Sequence, residues 1–78
     1  MESKDVHYAD IIANDLGDIL QVDRIGPEGE VFYIAILFRD GQGLKIKGRR
    51  SLSYGYISQF HTASNDQKQI FLKCIDNS

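Results

Sequence analysis

Apolar side chains fall into short blocks along this chain of 78 residues. The densest is Glu30-Val31-Phe32-Tyr33-Ile34-Ala35-Ile36-Leu37-Phe38. It is β-branched and aromatic and too short for a typical helix, so it predicts a strand over 30–38. Arg39-Asp40-Gly41-Gln42 follows, and Asp-Gly between two strand-like runs is a strong hairpin signal. Gly43 suits a bulge, and Leu44-Lys45-Ile46-Lys47-Gly48 alternates as a return strand over 44–48. Upstream, Asp-Ile-Leu-Gln-Val-Asp-Arg-Ile predicts a strand over 18–25, closed by a turn at Gly26-Pro27-Glu28-Gly29. Proline presets φ at the second turn position, and glycine suits the last.

The period changes at both ends of the chain. Tyr8, Ile11 or Ile12, and Leu16 recur at helical spacing, with Ala9 and Ala13 between them, which predicts a helix over 5–16. Ser3 or Asp5 caps its start and Gly17 its end. Asp15 in the last turn opposes the helix dipole. At the other end, Ser64 and Gln67 form a capping box ahead of Ile70, Phe71, Cys74 and Ile75, which share one helical face. A strand over 69–75 is the competing reading. Residues 51–60 place Leu52, Tyr54, Tyr56 and Phe60 on one side if extended, and Gly55 disfavours a helix. The predicted class is α+β: an N-terminal helix, an antiparallel meander of three or four strands, and a C-terminal helix. A small all-β barrel is the alternative. A chain of this length makes one domain, 1–78.

The central strand carries the main functional argument. With strict alternation, Phe32, Ile34, Ile36 and Phe38 point one way and Val31, Tyr33, Ala35 and Leu37 the other. Both sets are apolar, and two helices cover only one face of a small sheet. The second set needs closure into a barrel, packing by residues 51–60, or another chain. Soluble monomers seldom expose large contiguous apolar patches, so the sequence points to a larger protein partner or a homodimer.

Charge sharpens this expectation. Residues 1–30 hold two cations against eight carboxylates, and residues 31–78 hold seven cations against three carboxylates. An acidic side and a basic side follow if the halves separate in space. No apolar run approaches a membrane span, and Met1-Glu2-Ser3-Lys4-Asp5 does not read as a signal peptide. The single cysteine, Cys74, cannot form an internal disulfide and reads as a small buried hydrophobe. The expectation is a cytoplasmic protein with no membrane association.

Candidate chemistry is sparse. His7 and His61 stand at no ligand spacing to each other or to Cys74, so no metal site is expected. There is no Gly-x-Ser-x-Gly elbow. Gly43-Leu-Lys-Ile-Lys-Gly48-Arg49-Arg50-Ser51 departs from a phosphate loop, with Arg49 in the lysine's place and Ser51 one position late. No catalytic set and no cofactor are expected. The leading expectation is therefore a small non-enzymatic regulatory or inhibitory protein that binds another protein. Its acidic surface would compete with nucleic acid for a basic groove, through Asp10, Asp15, Asp18, Asp23, Glu28 and Glu30 with Tyr33 and Leu37.

The alternative is a nucleic-acid-binding domain. Arg39, Lys45, Lys47, Arg49 and Arg50 would meet phosphates, with Tyr54 and Tyr56 for stacking. The sequence pI near 5.5 counts against it. The element order, with Gly26-Pro27 ahead of Phe32, is similar to that of the double-stranded-RNA-binding domain over about residues 8–48. Arg49-Arg50-Ser51-Leu52-Ser53-Tyr54-Gly55 departs from the lysine-rich helix start which that family places next, and we assign no family on this basis. Arg50-Ser51-Leu52-Ser53 also fits a basic-directed phosphorylation pattern at Ser53.

Overall fold

The computed structural model describes residues 2–46 and 53–77. A 3₁₀ turn at Ser3–Asp5 leads into β1 (Ile11–Asn14), β2 (Ile19–Ile25), β3 (Glu30–Leu37), β4 (Gly43–Lys45) and β5 (Ser53–Tyr56). A second 3₁₀ turn, Ile57–Gln59, then joins β5 to β6 (Phe60–Thr62), and α1 (Asn65–Asp76) closes the chain. Every pairing is antiparallel, in the order β4-β3-β2-β1-β6, with β5 on the same β3 strand as β4. The sheet therefore runs from β5 round to β6, and one short turn links its two edges.

The expected N-terminal helix is absent. Residues 11–14 are instead a strand held between β2 and β6. Two backbone features stop a helix there. Ala9 takes φ 73°, a left-handed conformation that an α-helix does not tolerate. The Asp10 carboxylate accepts from the His7 N–H at 2.8 Å, closing a local turn. The apparent helical stripe was not a buried face, since Tyr8 and Leu16 are 70% and 63% exposed. Ile11, Ile12 and Ala13 behave as a central strand, whose apolar residues run on without alternation. Gly17 takes φ 98° in the β1–β2 turn, not at a helix end. Without the first helix, the element order shared with the double-stranded-RNA-binding domain does not hold.

The other elements lie close to their expected places. β2 and β3 match the predicted strands within a residue, and the hairpin after β3 closes with Gly41 N–H to Phe38 O at 2.8 Å. The capping box is present: the Ser64 hydroxyl accepts from the Gln67 N–H, and the Gln67 side chain accepts from the Ser64 N–H. A strand over 69–75 is thereby replaced by helix. Of the predicted strand over 51–60, residues 51–52 lie outside the described residues and 53–60 are divided among β5, the second 3₁₀ turn and the start of β6. Among the described residues the fold is an open, six-stranded antiparallel sheet with one C-terminal helix, so the predicted helix–meander–helix layout holds only in part.

Two offset bulges overturn the assumed alternation of β3. Gln21 and Val22 face Ala35 and Tyr33, so Ile34 is an extra residue in β3; Val22 and Arg24 then face Tyr33 and Phe32, so Asp23 is an extra residue in β2. Each bulge shifts the side-chain phase by one. Val31, Tyr33, Ile36 and Phe38 consequently meet in one core, with Ile12, Leu20 and Val22. Ala35 and Leu37 belong to a second core, on the opposite face, with Ala13, Ile19 and the α1 residues Phe71 and Ile75. Ile57, Phe60 and Tyr54 fill the first core from the β5–β6 region. Most of β3 is thus covered on both faces by the chain itself, with only Phe32 and Ile34 among its large apolar residues left half-buried, so the strand does not by itself require a partner. No helix among the described residues is long and apolar enough to cross a membrane.

Candidate functional site

The β1–β2 turn is held by side chains from four places in the chain. Asn14, at the end of β1, accepts through Oδ1 from the Leu16 and Asp18 N–H groups, both at 3.0 Å. Its Nδ2 donates to Asp18 Oδ2 at 3.1 Å. Asp18 is fully buried and receives the Arg39 backbone N–H at 2.7 Å and Arg39 Nη2 at 2.8 Å. The Tyr54 hydroxyl from β5 donates to the same carboxylate. One carboxylate therefore fixes the turn after β1, the turn after β3 and the start of β5 together.

Its electrostatics follow from that set. Burial alone would raise the Asp18 pKa. The hydrogen bonds from Tyr54, Asn14 and Arg39 outweigh burial and hold it down at about 2. Tyr54 shifts upward, through burial first and then through its bond to the Asp18 carboxylate. The Arg39 guanidinium is held charged by the same carboxylate. Tyr54 also packs its ring edge-on to Tyr33 and Phe38, with centroids 6.1 and 6.3 Å apart. This is a satisfied network, and among the described residues no buried side-chain polar atom lacks a partner.

What the network presents is the tip of the turn. Leu16 stands exposed there, and the neighbouring Asp15 side chain is 98% exposed, with His61 Nε2 3.7 Å from its carboxylate. Asn14, Asp15, Leu16 and Gln59 line a shallow open recess. Asn14 and Gln59 carry no sequence signal of a site, and Leu16 stands out in the sequence only as part of the predicted helical stripe. Asn14-Asp15-Leu16-Gly17-Asp18 is itself a turn composition, but the helical spacing around it outweighed that signal.

The acidic residues predicted to form one binding surface are not equivalent. Asp18, Tyr33 and Leu37 are buried and unavailable to a partner. Asp10 is spent locally on His7, and Glu30 Oε1 accepts from the Glu28 N–H at 3.0 Å across the β2–β3 turn. Asp23 is half-buried at its bulge, and Asp15 and Glu28 are exposed. The basic set divides too. Arg39 and Tyr54 are committed to Asp18, while Lys45 and Tyr56 are exposed on the β4/β5 edge. Lys47, Arg49 and Arg50 lie outside the described residues, as does Leu52. No group of three or more His, Cys, Asp or Glu residues suited to a metal ion occurs among the described residues.

No protein-family model matches the chain, and no curated protein or solved structure matches it either.

Proposed function

We propose that this domain acts by binding another protein, in a regulatory or inhibitory role and without chemistry of its own. The observation that supports this most directly is the braced β1–β2 turn, where Leu16 is exposed beside the fully solvated Asp15. A single exposed leucine is ordinary. Leu16 differs because its own backbone N–H is tied to Asn14, and Asn14 is tied to the buried Asp18. A contact held in its binding shape beforehand loses less ordering entropy on association. The partner it suits has an apolar socket flanked by a lysine or arginine. A basic groove that otherwise takes nucleic acid has this chemistry, and the exposed carboxylates Asp15 and Glu28 agree with it.

The test is capture from lysate on the immobilised domain at low and high salt, repeated with Leu16→Ser, Asp15→Lys and, as a control, the helix variant Leu72→Ser. A protein retained by the wild type and by Leu72→Ser, but bound at least about tenfold more weakly by both turn variants, supports the reading. If every retained protein ignores the turn variants, or none is retained, the reading is overturned. The nucleic-acid alternative rests on Lys45 and Tyr56 among the described residues. Unchanged nucleic-acid affinity in Lys45→Ala/Lys47→Ala removes it.

A further inference from the structure

The α1-side face of the sheet carries a second arrangement, away from the turn. Arg24 on β2 faces Phe32 on β3, and Phe32 faces Ser53 on β5. Directly paired residues on adjacent strands project from the same face, so these three side chains form one row across the sheet. The Arg24 guanidinium lies over the Phe32 ring, 4.3 Å from its centroid. Phe32 thus stands between Arg24 and Ser53 in the row, and adjacent strands are only about 5 Å apart. Ser53 and Arg24 are both exposed and Phe32 is half-buried. Glu30, two residues before Phe32 on β3, pairs with Tyr56. Its carboxylate is turned back over Gly26 and accepts from the Glu28 N–H. In sequence, Arg50 precedes Ser53 by three positions and Arg49 by four.

We propose that Ser53 is a phosphorylation site and that Arg24 receives the phosphate across the sheet. The donor is a nucleoside triphosphate on an arginine-directed serine kinase. Ser53 Oγ bonds to the γ-phosphorus, and the bond from that phosphorus to the bridging oxygen breaks. The nucleoside diphosphate leaves with the electron pair, and the hydroxyl proton passes to the kinase's base. The product is a dianion on the same row as a guanidinium already placed over the Phe32 ring, a partner for a charge-assisted bond. The new bond crosses β3 and strengthens the attachment of β5, the strand that delivers Tyr54 to Asp18.

Two measurements test this. In the first, the full chain is incubated with an arginine-directed serine kinase and ATP, and the product is mapped by mass spectrometry. The expected result is one phosphate at Ser53, absent in Ser53→Ala and at least about tenfold slower in Arg50→Gln. No incorporation, or incorporation at Ser51 instead, overturns the site. In the second, phosphoserine is installed at position 53 by chemical ligation, in the wild type and in Arg24→Gln. Phosphorylation is expected to raise Tm by about 4 °C or more in the wild type only. The phosphate's second pKa, followed by phosphorus NMR, should fall below its usual value of about 6 in the wild type only. Equal Tm shifts and equal phosphate titration in the two backgrounds overturn the role of Arg24.

Discussion

Asp18 shows how a buried charge can be tolerated in so small a domain. Removing a carboxylate from water is costly unless its lone pairs are taken, and here Asn14, Arg39 and Tyr54 take them. Because the folded pKa of about 2 lies below the ordinary value of 3.8, the unfolded chain binds this proton more readily. The stabilisation is therefore complete above about pH 4 and is lost as pH falls toward 2; the shift corresponds to about 2 kcal/mol. Urea melts between pH 2 and pH 6 should show this limb, and Asp18→Asn should abolish it. Tyr54→Phe keeps the ring packing but removes one of the bonds that lower the pKa, so the limb should move to higher pH. A limb unchanged in both variants would assign the acid sensitivity to other carboxylates. Ala9 offers a second test at this scale. Its φ of 73° strains any side chain with a Cβ and suits glycine. Ala9→Gly should raise stability by about 0.5–1 kcal/mol in the same melts, even though glycine elsewhere usually lowers it.

Among the elements, the C-terminal helix is where sequence and structure agree best, because its start is written in two residues. Ser64→Ala removes one arm of the capping box and should cost about 1 kcal/mol by denaturant unfolding. Phe71→Ala should cost more, about 3–5 kcal/mol, since Phe71 is fully buried against the second sheet face. Comparable losses in the two variants would mean that α1 is held by its cap more than by its packing. The strands β2 and β3 and their turns were also legible, from β-branched runs bounded by Gly, Pro and Asp. β1 was not, for a physical reason. Ile11-Ile12-Ala13 is too short to display a period, and a strand paired on both edges with apolar residues on both faces looks like a helix fragment. Nor could the bulges at Asp23 and Ile34 be read, since one inserted residue leaves no mark on composition yet reverses the side-chain phase beyond it. Of the candidate site, Asp15 and Asp18 were noticed as charges only. Their opposite fates, one solvated and one buried, depend on Arg39 and Tyr54, which are far apart in sequence and meet Asp18 only through the sheet.

Across the whole molecule, the phase reversal changes what the hydrophobic pattern implies about association. With strict alternation, β3 would expose a full row of large apolar side chains on one face. With the two bulges, the large residues Val31, Tyr33, Ile36 and Phe38 share one interior, and the smaller pair Ala35 and Leu37 suffices under Phe71 and Ile75. A second copy therefore finds only the half-buried Phe32 and Ile34 of β3, not a full apolar face, to occupy. We expect sedimentation equilibrium to give a mass near 8.8 kDa that does not rise with concentration. A concentration-dependent shift toward twice that mass would restore the partner argument that the sequence first suggested. The same experiment on Phe71→Ala supplies the converse. Loosening α1 uncovers Ala13, Ile19, Ala35 and Leu37 together, a contiguous patch of the kind that drives association. That variant should self-associate while the wild type stays monomeric, so both results follow from α1 being the lid over the second core.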